Sequence, residues 1–146
     1  MEIKRSPVII AGKPVAYAKG SAVTGAKGLV FLSGSVGDDI DTGQVPEGAG
    51  EQAKLAMENI KQRLEEHGSS LDHILLVRKY IKGVFPDGIV RHPMYQEISE
   101  AIEGFWAEHC PEFLRENNPP ASTLLGISSL AQPEYLLEIE VVAAVE

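Results

Sequence analysis

A stripe of apolar residues at helical spacing marks the middle of the chain's first half. Its members fall at positions i, i+3, i+4, i+7 and i+11 and are Ala53, Ala56, Met57, Ile60 and Leu64. That spacing brings all of them to one face of a helix. Gly68 stands where glycine commonly ends a helix. The pattern therefore predicts a first amphipathic helix over residues 48–67.

A second helix is predicted to begin near Pro93, because proline suits the first turn of a helix. Its apolar face is formed by Met94, Ile98, Ala101, Ile102 and Phe105. Cys110 and Pro111 end it. We expect Cys110 to be a buried helix-end residue rather than a nucleophile, because adjacent helical positions such as His109 do not face each other.

Short runs of apolar, β-branched and aromatic residues predict the strands. In chain order they cover residues 3–10, 21–23, 29–32, 74–82, 122–130 and 135–145. The first two runs are the weakest and are candidates for a hairpin. Glycine is dense in the first third of the chain, which favours tight turns between short strands.

The predicted order of elements is β-β-α-β-α-β-β, which is typical of an α+β domain. Strands connected through helices tend to lie side by side, so we expect one mixed sheet with both helices on one face. The opposite face is then left uncovered. Because the strands are apolar on both faces, we expect other subunits to cover this surface.

Composition removes several classes of protein. The chain has 146 residues, of which 44% are hydrophobic and 23% charged, and this indicates a single domain over residues 1–146. No apolar run is long enough to span a bilayer or to form a signal-peptide core. With a single cysteine as well, we expect a cytoplasmic protein without a membrane partner.

The charge balance argues against nucleic acid as a partner. There are 13 basic and 21 acidic residues, for a formal net charge of −8, and such a surface repels phosphate backbones. The densest basic group, Arg78, Lys79 and Lys82, is typical of a solvated strand face. The histidines lack metal-ligand spacing, so we expect neither a metal nor another cofactor.

Four motifs, in their order along the chain, resemble those of one protein family. They are the apolar strand with its Ser-Gly and Thr-Gly pairs in residues 29–43, the Gln52-x6-Asn59 helix, Pro120-Ala121 before a strand, and the closing LEIEVVA strand at residues 137–143. Together they resemble the Rid family, also called YjgF-like or endoribonuclease L-PSP-like. The resemblance covers about residues 19 to 143.

This resemblance implies a chorismate-mutase-like domain that assembles as a homotrimer. The sheets would form a central barrel, with clefts between subunits. The implied activity is hydrolysis of reactive enamines and imines such as 2-aminoacrylate, with release of ammonia. Other branches act on aminomuconate-type acids, and some members are described as ribonucleases or translation inhibitors.

The chain departs from the family pattern at positions that the resemblance assigns to the substrate. Ser122 stands where the deaminase branch has the arginine that holds the substrate carboxylate, and Leu124 stands where a pocket cysteine is frequent. The Gly-Pro-Tyr-Ser segment is absent. Tyr17 lies a few residues before the place where the tyrosine of that segment is expected, and Lys19 occupies part of the place of its Pro-Tyr pair. The loop before Pro120 is longer than the family pattern and contains Arg115.

Glu138 is the candidate catalytic residue, mainly because of the resemblance. A carboxylate in an apolar strand can position water and transfer protons. Glu140 shares its strand face, and the alternative for either residue is a structural or edge-protecting role. Ser33 and Gly34 resemble the family's pocket floor; the alternative is an ordinary turn at a strand end.

Three cations are candidates for the missing carboxylate anchor: Arg78, Lys19 and Arg115. The alternative for each is a solvated surface charge. We therefore interpret the chain as a Rid-like hydrolase of a carboxylate-bearing imine or enamine, with a 2-aminomuconate-like intermediate of aromatic degradation as one candidate substrate. A non-catalytic small-molecule-binding or regulatory trimer is the alternative, and the net charge disfavours ribonuclease or translation-inhibitor activity.

Overall fold

The structure, a computed structural model, describes every residue from Met1 to Glu146. Six strands and two helices make up the domain. They are β1 (Glu2–Ile10), β2 (Lys13–Thr24), β3 (Gly28–Phe31), α1 (Ala49–Glu66), β4 (Ile74–Lys82), α2 (Pro93–His109), β5 (Ala121–Ile127) and β6 (Leu137–Val145). Single 3-10 turns precede β4, at Leu71–His73, and follow α2, at Pro111–Phe113.

The strands form one mixed sheet in the order β1-β2-β5-β4-β6-β3. Strand β5 runs parallel to both β2 and β4, and the remaining pairs are antiparallel. Both helices pack on one face, where the apolar stripes predicted from the sequence meet alternate residues of the central strands. The core includes Met57, Ile60, Leu64, Ile98, Phe105, Val77, Ile81, Ile139 and Val141. This confirms the predicted α+β class.

Three strands precede the first helix, one for each apolar run before it, although the predicted order of elements counts only two strands there. The main difference in extent lies in β2, which spans 12 residues although only residues 21–23 carry an apolar signal. Its sequence of small, lysine and glycine residues has no clear alternation. The strand is instead defined by a two-residue hairpin turn, in which Ala11 and Gly12 have φ angles of 49° and 75°, as tight hairpins require.

Two buried polar side chains of α1 hold the loop that follows β3. The Gln52 amide donates to the carbonyls of Pro46 (2.7 Å) and Glu134 (3.0 Å), and it accepts from the Leu136 amide at 3.0 Å. The Asn59 amide donates to the Val36 carbonyl at 3.2 Å. The Gln-x6-Asn spacing thus places both amides on one helix face, where they fix the loop that begins with Ser33 and Gly34.

Arg5 connects strand β1 to the 3-10 turn before β4 and to the one after α2. Its side chain is only 3% exposed, and its guanidinium donates to the carbonyls of Asp72 (2.6 Å) and Ile74 (2.9 Å). It also lies 4.7 Å from the centre of the Phe113 ring. These contacts hold Phe113 beside α2.

The face of the sheet opposite the helices is uncovered and partly apolar, as predicted; it is called the open face below. Leu29, Phe31 and Leu125 are 50%, 72% and 48% exposed there. Neither α1 nor α2 combines the length and apolar character that crossing a membrane requires.

Candidate functional site

Glu138 lies on the open face, directly over Gly34. Alternation along β6 turns Leu137 and Ile139 into the core and leaves Glu138 half-buried on the other side. A Cβ atom at position 34 would lie 2.0 Å from Glu138 Oε1 and 2.6 Å from its Cδ. Only glycine leaves room for the carboxylate in this position. The structure therefore brings the candidate catalytic residue and one predicted pocket-floor residue together.

A bulge presents Ser33 and Gly34 beside β6. Phe31 pairs with Val142, and Ser35 pairs with Ile139. The segment after β3 therefore advances four residues where β6 advances three. The extra residue bends the backbone away from regular pairing. Ser33 is exposed, and pairing resumes where the Ser35 amide donates to the Ile139 carbonyl at 2.7 Å.

Glu140, on the same face, already has partners. Arg78 Nη1 lies 3.4 Å from Glu140 Oε1, and the Tyr80 hydroxyl donates a hydrogen bond to the same oxygen. That hydrogen bond, with smaller contributions from burial and the negative charge, raises the pKa of Tyr80. Arg78 is thus the counter-charge of Glu140, whereas no hydrogen bond or ion pair engages the Glu138 carboxylate.

Ser122 and Leu124 lie on the opposite face of the sheet from Glu138. Ser122 pairs with Val77 and Leu124 with Lys79, and side chains of paired residues share a face. Val77 is a core residue, so this is the helix-covered side. One chain therefore cannot place Ser122 and Glu138 in the same pocket.

The remaining predicted site residues are Arg115, in the loop that follows α2, and Tyr17 and Lys19, on β2. The Arg115 guanidinium donates to the Glu103 carboxylate, and this hydrogen bond raises the pKa of Arg115. Tyr17 and Lys19 are exposed residues of β2 and make no side-chain hydrogen bond or ion pair. They flank Ala18, which pairs with the first residue of β5.

Lys79 is the cation that the sequence interpretation missed. The three basic residues of β4 do not share one face. Alternation along the strand turns Arg78 and Lys82 to the open face and Lys79 to the helix-covered face. Lys79 lies with Val77 and Ile81 on the helix-covered side, and its ammonium donates to the Tyr95 hydroxyl at 3.4 Å. A lysine in register with two buried strand residues is the sequence signal that identifies it.

The site has the groups needed for acid–base chemistry at a carbonyl-type carbon. Glu138 supplies a carboxylate beside exposed backbone at the bulge, where water can be positioned. No cluster of three or more histidine, cysteine, aspartate or glutamate side chains has the geometry to hold a metal ion.

Cys110 is buried, as predicted, and we expect its thiol to be unreactive in the folded protein. Burial raises the pKa of Cys110 to about 11 from a reference value of 9.0, and the thiolate is the reactive form. A rise of this size lowers the thiolate fraction near neutral pH about 100-fold. Reaction with a disulfide reagent at slightly alkaline pH should therefore be slow in the native protein and fast in guanidinium chloride. Equal rates in the two states would contradict the buried placement.

Comparison with known proteins identifies the family. The family model described as endoribonuclease L-PSP matches residues 11–145. A RutC family protein of Pyrococcus abyssi is 28% identical over 116 residues, which are 79% of this chain and 77% of the relative. A RutC family protein of Aquifex aeolicus is 27% identical over 130 residues, 89% of this chain and 91% of the relative.

Solved structures show the same fold. The Escherichia coli protein TdcF, crystallised with bound serine, matches with a TM-score of 0.65 and 25% identity, covering 97% of this chain and 94% of its own. The Rid family protein YyfB of Yersinia pestis matches with a TM-score of 0.70 and 17% identity, covering 99% of this chain and 100% of its own. From the matched sequence and the shared fold, the chain belongs to the YjgF/RutC (Rid) family, whose family model carries the description endoribonuclease L-PSP.

Proposed function

We propose that the protein hydrolyses a carboxylate-bearing imine, or the enamine that tautomerises to it, in a cleft between two subunits of a homotrimer. The observation that carries the proposal is Glu138, a half-buried carboxylate seated over Gly34 without a partner in its own chain. A carboxylate free of other bonds is available to a water molecule and to a substrate nitrogen.

The reaction balances without a cofactor. An enamine first takes a proton on carbon and becomes the iminium ion, the same species that protonation of the imine nitrogen gives. Glu138 then accepts a proton from water as the water oxygen bonds to the iminium carbon, and the resulting carbinolamine carries a hydroxyl and an amino group. The Glu138 carboxylic acid returns the proton to the amino group, the carbon–nitrogen bond breaks to release ammonia, and the hydroxyl proton passes to solvent as the carbonyl compound forms.

The placement of residues on two faces supports a cleft between subunits. Ser122 and Leu124 line the helix-covered side, whereas Gly34 and Glu138 belong to the open face. A neighbouring copy that covers the open face can bring its own Ser122 edge next to Glu138. The exposed Phe31 gives such a contact an apolar surface to bury.

We expect the protein to be a trimer in dilute solution. Burial of the apolar open face stabilises association by about 25 cal/mol for each Å² removed from water. Light scattering should give about three times the chain mass of 15.8 kDa. A monomer at micromolar concentration would leave Glu138 without the second half of its cleft and would contradict the proposal.

The proposed ligand is a small carboxylic acid rather than a nucleic acid. TdcF was crystallised with serine, a ligand with a carboxylate and an amino group, and its likeness to this chain supports a ligand of that kind. The description of the family as endoribonucleases favours RNA cleavage as a second function, but the formal charge of −8 opposes binding to phosphates. Salt-dependent RNA binding would support the second function.

We expect 2-aminoacrylate to be a poor substrate. A serine hydroxyl offers its carboxylate a neutral hydrogen bond worth about 0.5–1.5 kcal/mol, against about 1.5–3 kcal/mol for a bond to a charged donor. The value of kcat/KM should therefore be at least about tenfold below that of a Rid protein with arginine at this position. The assay couples a dehydratase that generates 2-aminoacrylate to this protein and follows ammonia release.

The variant Ser122→Arg should recover part of the lost activity. Thr123→Arg is the matched control, since residue 123 pairs with Arg78 and lies on the other face; it should not recover any. Wild-type turnover equal to that of an arginine-bearing relative would contradict the importance of position 122.

A further inference from the structure

An isolated backbone bridge joins the segment that carries Gly34 to the strand that carries Glu138. The Ser35 amide donates to the Ile139 carbonyl at 2.7 Å, and the Ile139 amide donates to the Ser35 carbonyl at 2.9 Å. Ser35 directly follows Gly34, and Ile139 directly follows Glu138. This bridge therefore determines how Gly34 lies beneath the Glu138 carboxylate.

The bridge stands outside the regular pairing of the sheet. The β3–β6 ladder ends at Phe31, and no residue between Ser35 and the start of α1 pairs with a strand. A single bridge between a bulge and a loop can open locally at little cost unless side chains restrain it. The restraint has to come from the helix side, because Gly34 has no side chain to supply one.

Arg63, near the end of α1, supplies such a restraint. Its Nη1 atom donates to the Ser35 hydroxyl at 2.8 Å, and Ser35 is fully buried. Asn59, one helical turn earlier, donates to the Val36 carbonyl at 3.2 Å. Helical positions four apart share a face, so α1 holds two consecutive residues of the segment that follows Gly34.

The Arg63 guanidinium has no competing partner. On the same stretch of α1, Lys61 forms an ion pair with Glu65 at 2.8 Å, whereas Arg63 forms no ion pair, and its one side-chain hydrogen bond is the bond to Ser35. A hydrogen bond from a charged donor is stronger than one between neutral groups. The contact with Ser35 therefore restrains the bridge more than a neutral side chain at position 63 would.

We propose that Arg63 is a positioning residue, which acts through the Ser35 hydroxyl to keep the Glu138 carboxylate over Gly34. Arg63 lies on the helix-covered side of the sheet and Glu138 on the open face, so Arg63 does not touch the substrate. The assignment rests on the proposed function in that Glu138 is the carboxylate that accepts and returns the proton. Because proton transfer depends steeply on the position of that carboxylate, loss of Arg63 should lower kcat more than it changes KM.

Amide hydrogen exchange tests the coupling without any substrate. In Arg63→Met, the amides of Ser35 and Ile139 should exchange at least about tenfold faster than in the wild type, the loss expected for one charge-assisted hydrogen bond. The Lys82 amide, which is hydrogen-bonded to the residue before β6, should exchange at the wild-type rate. Lys61→Met removes a charge from the same turn of α1 and should leave all three amides unchanged.

A double-mutant cycle tests whether Arg63 acts through Ser35. Ser35→Ala removes the acceptor and should accelerate exchange of the Ile139 amide by a similar factor. Addition of Arg63→Met to Ser35→Ala should then have almost no further effect, because the two substitutions remove the same contact. Arg63→Lys keeps a charged donor and should recover most of the slow exchange. Additive effects of Arg63→Met and Ser35→Ala would overturn the assignment.

Turnover distinguishes positioning from simple stabilisation. In fully assembled Arg63→Met, kcat for ammonia release should fall at least about tenfold while KM stays within about twofold of the wild-type value, and Arg63→Lys should recover most of the loss. A wild-type kcat in Arg63→Met, or unchanged exchange at Ser35 and Ile139, would overturn the assignment. A wild-type protein that hydrolyses no imine would refute the proposed function alone, since faster exchange confined to the bridge would still support the coupling of Arg63 to Glu138.

Discussion

Replacing Glu138 by glutamine is expected to lower kcat by about 10²–10⁴-fold and to leave the assembly intact. Glutamine keeps the size of the side chain over Gly34 but can neither accept a proton from water nor return one to the leaving amine. The measurement is kcat for ammonia release from an imine substrate, with light scattering on the same sample.

Glu140→Gln is the matched control for this substitution. Its carboxylate lies two residues away on the same face, but it is held by Arg78 and Tyr80. This variant should lose stability, because both contacts weaken, and should keep a kcat close to the wild-type value. A fully assembled Glu138→Gln protein with wild-type kcat would assign Glu138 a structural role.

Gly37→Ala is expected to destabilise the fold more than any other glycine substitution near the site. An added Cβ atom would lie 2.3 Å from both the Cα atom and the carbonyl oxygen of Gln52. These are backbone atoms of α1, so the loop or the helix must move, and the buried hydrogen bonds of Gln52 weaken as well. We expect a loss of roughly 3 kcal/mol or more in the free energy of unfolding.

Denaturant unfolding measures this loss, and Gly104→Ala provides the control. Nothing lies within 4 Å of a Cβ atom at position 104 in α2, so alanine there should stabilise the protein by about 0.5–1 kcal/mol. Gly34→Ala is a second comparison, because the atoms it would displace belong to the Glu138 side chain, which can move. A Gly37→Ala protein as stable as wild type would contradict the close packing of the loop on α1.

The sequence predicts the helices well because their apolar residues follow the helical period. The stripe from Ala53 to Leu64 is buried as expected, and the residues around Ile98 and Phe105 on α2 behave likewise. Strand β2 was predicted only over residues 21–23, because its residues carry little apolar signal and its pairing with β1 determines its conformation.

The candidate site is less accessible to sequence reasoning, because strand register decides which residues meet. Gly34 and Glu138 are far apart in sequence, and only the bulge before Ser35 brings them together. Arg78 and Lys79 are neighbours in sequence but lie on opposite faces. The ion pairs of Arg78 with Glu140 and of Arg115 with Glu103 likewise do not follow from the spacing of residues along the chain.

The central claim is that the site is assembled from the Glu138 side of one subunit and the Ser122 side of another. The most direct test mixes two inactive variants by co-expression: Glu138→Gln, and Ser122→Trp, whose indole blocks the Ser122 side of the cleft. Each alone should form trimers that release almost no ammonia. In random mixtures, three quarters of the trimers contain both kinds of subunit and each has one intact cleft, so activity should return to about one quarter of the wild-type value. Mixed trimers that stay inactive, or a wild-type protein that releases no ammonia from any imino acid supplied, would contradict this account.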